Sequence, residues 1–143
     1  MSAADCIFCK MVAGQIPVAM VYEDDAILAF LDIGPVSDGH TLVIPKRHFE
    51  RLDDCPAEVF AQVAARLGKV AAAVSAAMQS DGYNLLCNNG PAAGQLVSHL
   101  HFHIIPRRMG DRLFHHWPAY KYPPGRIEAV AKKIRDNLQH AGA

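Results

Sequence analysis

The 143 residues are half hydrophobic and one-fifth charged, the size and balance of one globular domain that buries its core without disulfides. Lys plus Arg and Asp plus Glu both number 14, so the formal net charge is zero. That excludes a broad nucleic-acid-binding face, which needs surplus cations to displace counterions, and leaves room for a pocket holding a single nucleotide.

The first ten residues, MSAADCIFCK, lack the charged start and apolar run of a secretory leader. No apolar stretch approaches the roughly 18 residues of a membrane span, so a cytoplasmic protein without a membrane partner is expected. Cysteines should be reduced there, which makes Cys6 and Cys9 a metal or redox candidate. Cys55 and Cys87 stand alone and read as packing residues.

In chain order, a short helix is expected over residues 5–13, ending at Gly14. Strands at 19–22 and 27–32 flank the polar Glu23-Asp24-Asp25, which fits a hairpin. A loop at 33–39 leads into a strand at 40–45. The clearest element is a long helix over 56–79, where Val59, Val63, Leu67, Val70, Val74 and Met78 recur at helical spacing. Pro56 suits its first turn, and Asp81-Gly82 marks its exit. Strands at 83–88 and 98–106 and a closing helix at 127–138 complete the chain. Strands and helices are mixed without the alternation of a doubly wound sheet, so the fold class is α+β, an antiparallel sheet with one major helix.

The decisive segment is His99-Leu100-His101-Phe102-His103-Ile104-Ile105. In a strand the three histidines project from one face, while Leu100, Phe102 and Ile104 enter a core from the other. Three imidazoles opposite an apolar face are hard to explain as packing and mark a site. Periodicity leaves two chemistries open. Imidazoles at i and i+2 can chelate zinc, or one can be a nucleophile that its neighbours orient.

The run Gly94-Gln95-Leu96-Val97-Ser98 followed by those histidines resembles the signature of the histidine triad (HIT) family. Phe30-Leu31-Asp32-Ile33 and Gly39-His40-Thr41-Leu42-Val43-Ile44-Pro45-Lys46-Arg47-His48 resemble the family's nucleoside-binding half, and Asn88-Asn89-Gly90 its phosphate-side loop. The resemblance implies one HIT domain over 1–143, with a roughly five-stranded antiparallel sheet, one long helix and one or two short ones. It implies that His101 attacks the α-phosphorus of a purine nucleotide, giving a nucleotidyl-imidazole that water cleaves. The backbone carbonyl of His99 would fix the His101 tautomer. By position His103 and His40 would contact the phosphate, Asn88 and Gln95 would lie near the leaving group, and Asp32, with Ile33 and Val97, would hold the nucleoside.

By itself, Cys6-Ile7-Phe8-Cys9 is a weak motif, and two thiolates need two further ligands for closed tetrahedral zinc. In zinc-containing relatives those ligands match His48 and His99, so the resemblance implies a structural zinc on Cys6, Cys9, His48 and His99. It also implies a two-fold homodimer in which the aromatic-rich segment His115, His116, Trp117, Tyr120 and Tyr122 reaches the partner's site. The alternative is a loop that packs these rings on its own chain.

The expected activity is hydrolysis of a purine nucleoside phosphoramidate, nucleotide ester or dinucleoside polyphosphate. The alternatives are a nucleotidyltransferase, a nucleotide-binding module without turnover, and a zinc protein that uses all three triad histidines. Leu96 departs from the pattern, because phosphoramidate-cleaving relatives carry a polar residue there, usually Ser.

Overall fold

Five antiparallel strands in the order β1-β2-β3-β5-β4 form the sheet of the computed structural model, which describes residues 2–114 and 116–141. The strands are β1 (Met20–Glu23), β2 (Ile27–Leu31), β3 (Thr41–Pro45), β4 (Gly82–Leu86) and β5 (Phe102–Arg107). Three helices accompany them: α1 (Ile7–Val12), the long α2 (Ala57–Met78) and α3 (Arg126–Ala141). The chain divides into two compact units, Met1–Leu113 and Phe114–Ala143.

In the first unit, pleating sorts β2 and β3 between two cores. Ile27, Ala29 and Val43 join Leu100, Phe102 and Ile104 against Val63, Leu67, Val70 and Val74 of α2. Leu28, Phe30, Leu42 and Ile44 face the other way, onto Cys6 and Phe8. Burial on both faces explains why β2 and β3 read as unbroken apolar runs without the alternation of a half-exposed strand. The helical stripe expected from the sequence is the buried face of α2, with Met78 partly buried at its end. α2 is long and apolar enough to cross a membrane, but here this stripe packs on the sheet.

The hairpin between β1 and β2 is held by Asp24, whose Oδ1 accepts from the amides of Ala26 (2.9 Å) and Ile27 (3.0 Å). Its other oxygen pairs with Arg66 of α2. α1 ends at Val12 and is followed, after the cap residue Ala13, by Gly14 in the left-handed region (φ 74°), the stop the sequence suggested. α2 ends at Met78 with Gln79 in a left-handed cap (φ 50°), in agreement with the expected span of 56–79.

The main boundary correction concerns the triad. β5 starts at Phe102, so residues 98–101 lie outside the ladder. β3 pairs with β5 from Thr41↔Ile104 to Val43↔Phe102, a register that puts Pro45 opposite Leu100. Pro45 has no N–H to donate, and pairing stops there. The Leu100 amide donates to the carbonyl of Phe49 at 2.6 Å, and the Pro45 carbonyl faces the His99 ring.

In the second unit, α3 presents Ile127, Ile134 and Leu138 to solvent and carries a Lys132–Asp136 ion pair. Trp117 and Tyr120 ahead of it are exposed, and the Tyr120 and Tyr122 rings meet edge to face. His115 lies outside the described residues.

Candidate active site

The loop before β5 and the first residues of β5 send the three triad rings to different places. His99, fully buried, turns its Nδ1 toward the α1 cysteines: 3.4 Å from Cys6 Sγ, 3.6 Å from Cys9 Sγ and 3.3 Å from His48 Nδ1. Cys9 Sγ is itself 3.3 Å from His48 Nδ1. A tetrahedral zinc with Zn–N near 2.0 Å and Zn–S near 2.3 Å has ligand–ligand edges of about 3.3–3.8 Å, so these spacings are those of a metal-sized gap. His99 Nε2 donates to the Pro45 carbonyl at 2.9 Å, which leaves the lone pair on the Nδ1 that faces the gap. Burial, then the neighbouring Cys6, pushes the Cys9 thiol up to about 11. Without a cation that thiol therefore stays protonated. Four protein ligands form a closed set with no place for water, so Cys6, Cys9, His48 and His99 fit a structural ion that ties α1 to the triad loop.

His101 is separate from that cluster. Its Nδ1 donates to the His99 carbonyl at 2.7 Å, so the lone pair sits on Nε2. Burial lowers its pKa, more strongly than the His99 carbonyl and the Asp32 charge raise it, which keeps the imidazole neutral at pH 7. The Phe8 ring packs edge-on against it, centroids 5.3 Å apart. Three triad histidines on one metal are thus excluded: His99 belongs to one cluster, His103 to another, and His101 to neither.

His101 and His103 form the polar end of an otherwise apolar cavity of about 280 Å³. Phe8, Val18, Phe30, Leu42 and Val97 line its walls, and Asp32 and Ile33 its rim. Asp32 is fixed by the Gly34 amide, which donates to its Oδ1 at 2.8 Å, and keeps its second oxygen for a ligand or for His40 at 3.7 Å. An apolar slot with a carboxylate on one side and imidazoles at the end suits a flat base, a ribose and a phosphate.

Three expected positions differ. His40 is buried behind His103, its Nε2 2.9 Å from His103 Nδ1, and does not line the cavity. Gln95 is a brace: its Oε1 accepts from the Gly90 amide (2.7 Å), and its Nε2 donates to the carbonyls of Glu50 (2.7 Å) and Val97 (3.0 Å). Asn88 follows β4 and lies beside Gly94, likewise off the cavity wall. Sequence reasoning did not single out Phe8, whose only signal is its place in an apolar run that a buried helix shows equally. Phe30 and Leu42 lie in the segments that resemble the nucleoside-binding half, but nothing there marked them as cavity walls.

The family model for the HIT domain matches residues 13–110, and the chain belongs to the HIT family. It is 46% identical over 110 residues to the adenylylsulfatase HINT3 of Arabidopsis thaliana, covering 77% of this chain and 56% of that protein. It is 41% identical over 135 residues to the adenosine 5'-monophosphoramidase hnt1 of Schizosaccharomyces pombe, covering 94% and 98%. The crystal structure of SMU.412c from Streptococcus mutans superposes with a TM-score of 0.91 at 40% identity, covering 96% of this chain and 87% of that one. A zinc-bound histidine triad family protein from Mycobacterium smegmatis superposes at 0.73 with 38% identity, covering 98% and 99%.

Proposed function

We propose that this protein hydrolyses purine nucleotides at the α-phosphate, through a nucleotidyl group carried on His101. The observation that carries the reading is the neutral His101 ring, pinned at Nδ1 by the His99 carbonyl with its Nε2 lone pair in the cavity wall. The base lies among Phe8, Phe30 and Leu42, with the ribose hydroxyls on Asp32. His101 Nε2 forms a bond to phosphorus as the leaving group departs with the electron pair of its bond. Water then attacks the phosphorus and restores the imidazole. The relatives named as an adenosine 5'-monophosphoramidase and an adenylylsulfatase support hydrolysis at an adenylyl group. Incubation with an adenosine phosphoramidate, with mass spectrometry of the quenched protein, should show AMP release and an adenylylated His101 peptide. Transfer to an added phosphate acceptor in preference to water would favour a nucleotidyltransferase.

The ion on Cys6, Cys9, His48 and His99 is zinc in this reading, a ligand set of soft thiolate and imidazole donors. Its chemistry is structural, and the reaction steps fall to His101 and its neighbours.

Leu96 stands almost wholly exposed at the cavity, 94% accessible, where a polar side chain would meet the leaving group. Leucine donates no hydrogen bond. Such a bond to a developing charge contributes about 1.5–3 kcal/mol, roughly 10- to 150-fold in rate. Amine leaving groups, which depart protonated, feel its loss more than phosphates, which leave as stable anions. Leu96→Ser should therefore raise kcat on an adenosine phosphoramidate about tenfold or more, with less effect on a dinucleoside polyphosphate. An unchanged kcat, together with an unaltered protein already fast on amines, would remove position 96 from the leaving-group site.

A homodimer completes the reading. Among the described residues β4 is an edge strand, without a strand partner on one side, and it exposes Tyr83 and Leu85. A two-fold copy would cap that edge with itself. Sedimentation at micromolar concentration should give twice 15.6 kDa, and a monomer there would contradict the assembly.

A further inference from the structure

Asp32, His40 and His103 bring three ligand atoms within 4.8 Å of one another, which invites a second metal. The hydrogen bond behind them argues otherwise. The backbone N–H of Val36 donates to His40 Nδ1 at 3.2 Å. A neutral imidazole has one nitrogen with a free lone pair, and here that pair is taken by Val36. The His40 proton must then sit on Nε2, which cannot coordinate a metal while it carries one.

We propose that the Val36 N–H sets the tautomer of His103 through His40, so that His103 presents an N–H to the substrate phosphate. The chain of donors runs one way. Val36 N–H points to His40 Nδ1, and His40 Nε2–H, 2.9 Å away, points to His103 Nδ1. The His103 proton is thereby placed on Nε2, a buried atom without a hydrogen-bond partner among the described residues. A buried donor without a partner is rare in a folded protein and marks the place of a ligand acceptor. The non-bridging phosphate oxygens of a nucleotide are such acceptors, and His103 lines the cavity beside His101, ring centroids 4.9 Å apart.

Adjacent rings of one triad are thus held in opposite tautomers by different backbone groups. The His99 carbonyl takes the proton of His101 Nδ1 and frees its Nε2 to attack. The Val36 amide, acting through His40, does the reverse to His103. In the other tautomer His103 would turn a lone pair toward an anionic phosphate and repel it. Burial lowers both His40 and His103, the latter to about 4, so at neutral pH the pair is uncharged and the tautomer decides which atom donates.

The loop that presents Val36 is fixed at several points. Gly34 donates to Asp32, Ser37 Oγ donates to the Pro106 carbonyl at 2.9 Å, and the His40 amide donates to the Ser37 carbonyl at 3.1 Å. His40 is therefore a positioning residue for His103, and Val36 acts through its backbone alone.

The phosphate role rests on the proposed function, whereas the tautomer can be read without substrate. The test is imidazole 15N NMR on the full zinc-loaded chain, free of nucleotide, for the unaltered protein and for Val36→Pro, His40→Leu and His40→Gln. Proline removes the amide donor, leucine breaks the chain, and glutamine offers an amide N–H that can replace His40 Nε2–H. The unaltered protein should show His103 protonated at Nε2 and His101 at Nδ1. His40→Leu and Val36→Pro should mix the His103 tautomers, and His40→Gln should restore Nε2–H. In turnover of an adenosine phosphoramidate, His40→Leu should lower kcat about 10- to 100-fold with a smaller change in KM, and His40→Gln should recover most of it. A proton on His103 Nδ1 in the unaltered protein, or an unmoved tautomer in His40→Leu, would overturn the proposal even if Val36→Pro fails to fold. The NMR pattern found without nucleotide turnover would overturn the phosphate role and the hydrolase reading, and leave the tautomer chain standing.

Discussion

His101→Gly or His101→Ala is expected to abolish covalent adenylylation and lower kcat by about a thousandfold or more, with zinc content and fold retained. The size follows from the absence of a substitute. Besides His101, the cavity lining offers, among the described residues, only Asp32 and His103 as polar side chains. Asp32 sits on the rim, and the His103 lone pair faces His40. Loss of a nucleophile that acts with its neighbours as a unit commonly costs several powers of ten. The variant also removes a buried ring that packs against Phe8, so a modest fall in Tm should accompany the loss. Circular dichroism and metal analysis separate that effect from unfolding. Turnover near that of the unaltered protein would refute the assignment of His101.

The second large effect concerns the metal cluster. Cys9→Ala should take zinc from one per chain to near zero and lower Tm on the order of ten degrees. Structural zinc contributes apparent free energies of roughly 10–16 kcal/mol in isolated finger peptides, and a small share of that suffices here, where two apolar cores also hold the fold. Without the ion, His99 and His48 would face one another, and Cys9 would stay protonated, because its thiol is pushed up to about 11. The His99 carbonyl orients His101, so kcat should fall along with the metal. Thiolate and imidazole ligands lose protons on binding, so zinc affinity should drop as pH falls. A zinc-free protein with unchanged Tm, or a Cys9→Ala protein that keeps its zinc, would contradict a structural ion on these four residues.

Much of this protein is legible in the sequence wherever a local pattern repeats or a motif is dense. The 4-4-3-4-4 spacing from Val59 to Met78 determines the long helix and the face it buries, because helical periodicity is a property of neighbouring residues. The HxHxH run, its Gly-Gln lead and the Asp32 and His48 segments determine the family. The alternation of Leu100, Phe102 and Ile104 determines which side of the triad enters the core.

Only the tertiary structure decided how those side chains are used. It tied Gln95, expected near the leaving group, into a brace, because the backbone of Glu50, Gly90 and Val97 comes within hydrogen-bond distance of its amide. It ended the ladder before His101, because the register sets Pro45, which has no N–H, opposite Leu100. It drew Cys6, Cys9, His48 and His99, spread over 93 residues of chain, into one metal-sized gap that spacing alone had left open. It also placed His40 behind His103 with the Val36 amide behind both. Nearly every residue carries a backbone N–H, so no sequence pattern marks the one that sets a tautomer. Its role comes from position alone, which the packing of the loop against β5 supplies.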